Sequence, residues 1–259
     1  MGPPVYPADY LLCAENSLID QSRHARMGRT TTNGDGFGLG WYGERDEPGL
    51  FRDIRPAWND DNLGNVAAQI RSPLFFAHVR AATNGGIARN NCHPFRYGRW
   101  LFMHNGQIGA FDRVRREIDC LIDDAYYHHR LGTTDSETFF CLMLTHGLED
   151  GPPAAFARAV AQVEQVKAEQ GVNNPLRLTA ALTDGGTTYA IRYASDPEAP
   201  TLFIGHSQPA EAGAAPLLIV SEPLDSCPDH WQKVETAHLV TARDGHYDIA
   251  AFTPDGRGL

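Results

Sequence analysis

Apolar and aromatic residues along this chain gather in short runs closed by Gly, Pro, Asp or Asn, the punctuation of β-strands. Early runs cover Gly36 to Tyr42, Leu50 to Ile54, Leu74 to Ala81 and Trp100 to His104. Later ones cover Leu176 to Thr183, Thr187 to Tyr193, Leu217 to Ser221, Ala237 to Thr241 and Tyr247 to Phe252. Asp184-Gly185-Gly186, between two of these runs, predicts a hairpin. Helical spacing marks Ser17 to Met27, Asp60 to Ile70, Phe111 to Ile118, Asp135 to Leu148 and Ala154 to Gln170. Thr134, with Glu137 three residues on, predicts a capping box ahead of the apolar Phe139-Phe140-Leu142-Met143 set. The helices cluster in the middle, with strands on either side. That order lacks the strict alternation of a parallel α/β sheet. It suits an α+β fold in which two stacked, mostly antiparallel sheets are covered by helices. Evenly spread Gly and Pro, with no repeat and no low-complexity linker, predict a single domain over residues 1–259. Gly205 to Ala215 is rich in Gly and Ala and is expected to be a loop.

Composition narrows the function. The chain has 259 residues, 42% of them hydrophobic, enough for a large core, yet no apolar run has the length of a membrane span. Met1-Gly2-Pro3-Pro4-Val5 has neither the basic start nor the apolar stretch of a signal peptide, so a cytoplasmic protein is expected. A formal net charge of −10 argues against a nucleic-acid partner. Five scattered cysteines without C-x-x-C spacing build neither a disulfide framework nor a zinc knuckle. Lys167 and Lys233 are the only lysines, so arginine carries nearly all the positive charge and only individual arginines within motifs are informative.

Five polar clusters stand at element ends, where chemistry is usually sited. Thr32-Asn33-Gly34-Asp35-Gly36-Phe37-Gly38 is weak by itself and compatible with a plain turn. In Ala77-His78-Val79-Arg80-Ala81-Ala82-Thr83 a strand ends on an arginine whose donor fork matches a carboxylate; a structural ion pair is the other reading, and His78 reads as a buried histidine bonded to backbone. Asn91-Cys92-His93-Pro94 offers no second ligand at metal spacing, so His93 reads as structural or supporting rather than zinc-binding. In His104-Asn105-Gly106-Gln107 a strand followed by helical residues suggests a strand-turn-helix. Its amide and backbone N–H could converge as an oxyanion hole. Thr133-Thr134-Asp135-Ser136-Glu137 caps a helix, and an aspartate held ionised in the first turn could also grip an ammonium.

Taken in order, these clusters resemble the class II glutamine amidotransferases of the N-terminal-nucleophile hydrolase superfamily. The likeness is closest to the stand-alone forms related to ergothioneine-pathway and γ-glutamyl-peptide-degrading amidohydrolases. It runs from Asn16-Ser17-Leu18-Ile19-Asp20-Gln21-Ser22 to Ser221-Glu222-Pro223-Leu224-Asp225. The resemblance implies a four-layer αββα sandwich. It also implies that Arg80 clamps the α-carboxylate of glutamine, that Asp135 holds its amino group, and that Asn105 and Gly106 form the oxyanion hole. Thr83, with the segment around Asn91 and His93, would shape the pocket, and Asp35 would line its floor. The implied reaction is amide hydrolysis through a thioester, with no cofactor and no metal. The implied partners are glutamine or a γ-glutamyl small molecule and a possible separate synthase subunit.

The family nucleophile is an N-terminal cysteine whose own amine acts as base. Here Met1-Gly2 stands first, and Gly2-Pro3-Pro4 resembles the turn that follows the family strand Met-Cys-Arg-Trp-Leu-Ala-Tyr. The expectation is that this strand, about 5–6 residues long, is missing ahead of Gly2 and that the chain as it stands is inactive. Leu11-Leu12-Cys13 reads as a packing segment with a buried cysteine, not a substitute nucleophile. Two further readings remain: a glutamine- or γ-glutamyl-binding protein without catalysis, and a metal hydrolase built from Asp35, His78, His93, His104 and Asp135, whose spacings match no common ligand set.

Overall fold

The computed structural model describes residues 1–83, 85–206 and 215–254. Most of the expected Gly/Ala-rich loop, residues 207–214, lies outside them. Helices α1 (Pro7–Leu11) and α2 (Leu18–Arg23) precede strands β1 (Phe37–Trp41) and β2 (Gly49–Asp53). Helix α3 (Asp61–Gln69) leads to β3 (Phe75–Val79), then to β4 (Phe95–Tyr97) and the long β5 (Trp100–Ile108). The helices α4 (Phe111–Asp119), α5 (Asp124–Tyr127), α6 (Asp135–Thr145) and α7 (Pro152–Glu169) follow. After them come β6 (Leu176–Thr183), β7 (Thr187–Ala194), β8 (Phe203–Gly205), β9 (Leu218–Val220), β10 (Trp231–Lys233), β11 (His238–Arg243) and β12 (His246–Ala251).

Six strands form one antiparallel sheet in the order β12-β11-β7-β6-β5-β4. The Asp184-Gly185-Gly186 signal is the β6–β7 hairpin. Asp184 Oδ1 accepts from Gly186 N–H at 2.9 Å and Thr187 N–H at 2.8 Å, and Gly185 takes φ +90°. One face of this sheet packs under α4, α6 and α7, through Phe102, Ile108, Phe111, Phe139 and Phe156. Alternation turns Leu101 of β5 to the other face, where it meets Phe76, Leu202, Ile204 and Val240 between the sheets. Beyond that second core lie two three-stranded antiparallel sheets, β2-β1-β3 and β10-β8-β9. Helices α1 and α3 cover β1 through Leu11, Phe37, Leu39 and Leu63. The layers are therefore helix, sheet, sheet, helix, the αββα sandwich implied above, with the second sheet layer split in two.

The sequence Phe37-Gly38-Leu39-Gly40 of β1 shows why the sheets approach so closely. Phe37 and Leu39 point to the helices. A Cβ on Gly38 would stand 2.0 Å from the His93 carbonyl, and one on Gly40 would meet Leu101 and Pro94. Glycine at those positions lets the His93-Pro94 turn and the six-stranded sheet press against β1.

The split in the second layer matters for function. β3 and β9 are the outermost strands of their sheets, and both line one cavity. The first residues of the chain enter between them. The Met1 amino group donates to Leu217 O at 2.7 Å and Leu217 N–H returns a bond to Met1 O at 2.8 Å. On the opposite side Gly2 N–H donates to Pro73 O at 3.2 Å, and Val5 pairs antiparallel with Ser72. Backbone running back from Met1 would thus lie antiparallel to β3 and β9 at once.

Candidate functional site

The cavity between the two sheet layers has a volume of about 550 Å³. Its lining includes Arg80, Thr83, His93, Asn105, Gly106 and Asp135, whereas Asp35 and Asn91, also put forward from the sequence, stand outside it. The ends of β3 and β5, the first turn of α6 and the His93-Pro94 turn deliver those that line it.

Strand β3 supplies the first. Its burial alternates, with Phe76 and His78 inward, and Arg80 continues on the same face just past the strand end. Arg80 is only 4% exposed. Its backbone is locked by Arg80 N–H to Gly36 O at 2.9 Å and by Asp35 N–H to Arg80 O at 2.8 Å. Its guanidinium reaches the carbonyls of Asp35 and Gly85 at 3.4 and 3.5 Å. The Asp35 carboxylate accepts Ala82 N–H at 2.8 Å, so Asp35 braces the turn beneath Arg80 instead of lining the cavity. Thr83 is exposed at the cavity mouth.

Strand β5 supplies Asn105 and Gly106. The expected strand-turn-helix is corrected here: Asn105-Gly106 is no turn. β5 runs through it to Ile108, with Asn105 opposite Thr179 and Gly106 opposite Leu178. The turn comes at Gly109-Ala110, where Ala110 takes φ +52° before α4. An unbroken neighbour, β6, outweighed the local turn propensity of Asn-Gly. Gly106 is required for another reason. It takes φ +141°, and an added Cβ would stand 2.0 Å from Arg177 O.

Helix α6 supplies Asp135 in its first turn. Thr134 is the N-cap, its hydroxyl accepting Glu137 N–H at 3.2 Å. The Glu137 carboxylate, however, receives Leu131 N–H at 3.1 Å and Gly132 N–H at 2.6 Å, so the reciprocal arm of the capping box closes on the loop before the helix. Burial pushes the Glu137 carboxyl above its usual range, against these bonds. Asp135 is 5% exposed, with Oδ2 accepting Ile108 N–H at 2.8 Å and Oδ1 accepting Ser136 N–H at 2.9 Å. These bonds fix the carboxylate to the end of β5, beside Asn105 and Gly106.

Three buried histidines stand behind these groups. His104 Nε2–H donates to Arg177 O at 3.1 Å, and its Nδ1 accepts from the Ser136 hydroxyl at 2.9 Å. His78 Nε2 is bonded to Asn105 Oδ1 at 2.9 Å. The expectation of a backbone contact holds in part, since the His104 carbonyl lies near the ring, but the bond of full hydrogen-bond geometry is to this side chain. His93 lies between two rings, tilted against His78 at 4.3 Å and edge-on to Phe95 at 4.6 Å between centroids, with both nitrogens buried and without a hydrogen-bond partner. It lines the cavity. Burial lowers the pKa of all three, to about 4 for His78, and keeps them neutral near pH 7. Asn91 does not line the cavity; it ties the loops around it, donating to Gly86 O at 2.7 Å and accepting Thr133 N–H at 2.8 Å.

Two features went unnoticed in the sequence. Glu222, 4% exposed, receives Arg26, Met27 and Gly28 N–H at 2.9, 2.9 and 3.1 Å, and so holds the loop that carries Arg29 and Thr30 at the cavity rim. No periodicity links positions 26 and 222. The role of His78 was readable, since it shares the inward face of β3 with Arg80. Cys13 is exposed, contrary to the expectation of a buried thiol, and no residue lining the cavity is a cysteine. Among the described residues no cluster of His, Cys, Asp and Glu could hold a metal ion, and no helix is long and apolar enough to cross a membrane.

An αββα sandwich with its polar groups gathered at the split in one sheet layer has the architecture of the N-terminal-nucleophile hydrolases. Within that class, residues 15–196 match the family described as class II glutamine amidotransferases, and the chain belongs to it. It is 32% identical to the probable glutamine amidotransferase DUG3 of Saccharomyces cerevisiae, over 93% of this chain and 79% of that protein. It is 27% identical to the gamma-glutamyl-hercynylcysteine sulfoxide hydrolase of Mycolicibacterium smegmatis, over 95% and 94% of the two chains. The solved structure of a glutamine aminotransferase class-II domain protein from Silicibacter pomeroyi superposes with a TM-score of 0.78 at 37% identity, covering 98% of this chain and 96% of that one.

Proposed function

We propose that this chain forms the body of an amidohydrolase for glutamine or a γ-glutamyl amide. The observation that carries the reading is that a guanidinium, a carboxylate and a side-chain amide line one cavity. Free glutamine presents a carboxylate, an ammonium and an amide. Arg80 takes the carboxylate through its donor fork. Asp135 takes the ammonium, and the Asn105 amide with the Gly106 N–H stabilises the oxyanion. Thr83 and His93 shape the wall around the ligand.

The nucleophile in this reading is a cysteine at the head of a strand preceding Gly2, laid in the slot between β3 and β9. The Met1–Leu217 and Gly2–Pro73 bonds support it, since they already start such a strand. A strand of about six residues spans roughly 20 Å, and β3 leads from that entrance to Arg80. The thiolate attacks the amide carbon, and ammonia or an amine leaves with a proton. Water then hydrolyses the thioester, releasing the γ-glutamyl acid and restoring the thiol. The likeness to a γ-glutamyl hydrolase over nearly all of both chains favours a γ-glutamyl amide of a larger small molecule over ammonia supply to a separate synthase.

The test joins Met-Cys-Arg-Trp-Leu-Ala-Tyr ahead of Gly2 and assays free glutamine and γ-glutamyl dipeptides. Release of ammonia or amine, lost when the new cysteine is replaced by alanine, is expected. A folded, extended protein that releases neither would sink the enzyme reading. The absence of a thiol among the lining residues supports a second reading for the chain from Met1 onward: it binds glutamine or a γ-glutamyl compound without cleaving it. Calorimetry followed by mass spectrometry of the recovered ligand separates the two.

A further inference from the structure

We propose that His78 is a positioning residue that fixes the Asn105 side-chain amide with its Nδ2 donors turned to the cavity. The proposal deepens the oxyanion-hole reading above and rests on it. Asn105 reaches across from β5 in one sheet layer, and His78 meets it from β3 in the other, with Nε2 2.9 Å from Oδ1. A side-chain amide can face a site either way round, and only one orientation suits an oxyanion. With Oδ1 outward, a negative oxygen would be repelled; with Nδ2 outward, it is met by N–H donors.

The tautomer of His78 decides between the two. If the ring proton is on Nε2, it donates to Oδ1 and Nδ2 faces the cavity. If it is on Nδ1, Nε2 accepts from Nδ2 and the amide is reversed. Nδ1 is buried and no group meets it in hydrogen-bond geometry, the His104 carbonyl lying near the ring without closing such a bond. A proton there would be an orphaned buried donor, which folded proteins tolerate less readily than an unpaired acceptor. The Nε2–H form is therefore favoured, and with it the productive orientation. No other hydrogen bond engages the Asn105 side chain among the described residues. The ring of His93, 4.3 Å away, and Phe95 behind it hold the imidazole plane without competing for its proton. Burial keeps His78 neutral, so one nitrogen, and not both, carries a proton at pH 7.

Two measurements test this. In the first, ¹⁵N-labelled chain is examined by long-range ¹H–¹⁵N correlation. His78 is expected as the Nε2–H tautomer near pH 7, and an Nδ1–H tautomer would overturn the proposal whether or not the protein is an enzyme. The second uses the cysteine-extended protein. His78→Leu should lower kcat by about 10- to 100-fold with KM nearly unchanged, a fraction of the loss typical for deleting an oxyanion-hole donor. His78→Gln, whose amide N–H can replace Nε2–H, should restore most of the rate. Equal kcat for wild type and His78→Leu, or equal loss in the Leu and Gln variants, would refute a positioning role. An extended wild type with no activity would count against the enzyme reading, leaving the tautomer measurement to decide this one.

Discussion

Arg80 and Gly106 illustrate two kinds of necessity at single positions. Arg80 offers a planar fork, and its backbone is held on both sides by Gly36 and Asp35. Arg80→Lys keeps the charge and loses the fork. Calorimetry should show glutamine affinity falling roughly tenfold or more, with the melting temperature little changed. Unaltered affinity would remove Arg80 from carboxylate recognition. Gly106 is constrained by space and not by chemistry. Its missing Cβ lies 2.0 Å from a backbone carbonyl that cannot swing away, and its φ of +141° disfavours any side chain. Gly106→Ala should cost about 2 kcal/mol or more in a denaturant titration. A variant as stable as the parent would show that β5 and β6 can part without penalty.

Among elements, the loop at the cavity rim and the slot between sheets are each held by one small set of contacts. Glu222 gathers three consecutive N–H groups of the rim loop. Glu222→Ala leaves them to water and frees the loop. Trypsin cleavage after Arg26 or Arg29 should then accelerate by about tenfold, the effect of losing one or two charge-assisted hydrogen bonds. Unchanged cleavage would mean that other contacts order the loop. The slot presents outer edges of β3 and β9, which are costly to leave without a partner strand. Extending the chain ahead of Gly2 by the family strand, with its cysteine changed to alanine, should raise the melting temperature by roughly 5 °C or more. No rise would place the extension elsewhere, and the nucleophile with it.

For the whole molecule, the buried histidines set an acid limit. In the folded state His78 titrates near 4, against 6.5 when unfolded, and His93 and His104 are lowered in the same direction, chiefly by burial. Above pH 6.5 these groups are neutral in both states and contribute no pH dependence. As pH falls from 6.5, the unfolded chain takes up protons that the folded chain refuses, so stability declines down to about pH 4. Around His78, the Arg80 and His104 charges oppose protonation, whereas Asn105 and the His104 carbonyl favour it. Melting curves from pH 7.5 to 4.5 should show the decline, and His93→Phe, which keeps a ring between His78 and Phe95, should make it shallower. A flat profile, or an equal slope in that variant, would show that the histidines do not govern acid stability.

Much of this architecture was written locally. Nine of the strands and the five longer helices were legible from their apolar and aromatic runs, helical spacing and flanking Gly, Pro, Asp or Asn. The three-residue β4, β8 and β10 were illegible, whereas β9, equally short, was legible only because it lies within the longer apolar run Leu217 to Ser221. Local pattern also misread Asn105-Gly106 as a turn, because the pairing with β6 that overrides it lies some seventy residues away in sequence. The sequence by itself determined which groups could recognise a carboxylate, an ammonium and an amide, for that follows from side-chain chemistry and element ends. Only the tertiary structure decided that Arg80, Asp135 and Asn105 share a cavity, that His78 grips the amide, and that Glu222 holds the rim. Each of those depends on distances between segments far apart in the chain, and such distances are set by how sheets and helices stack.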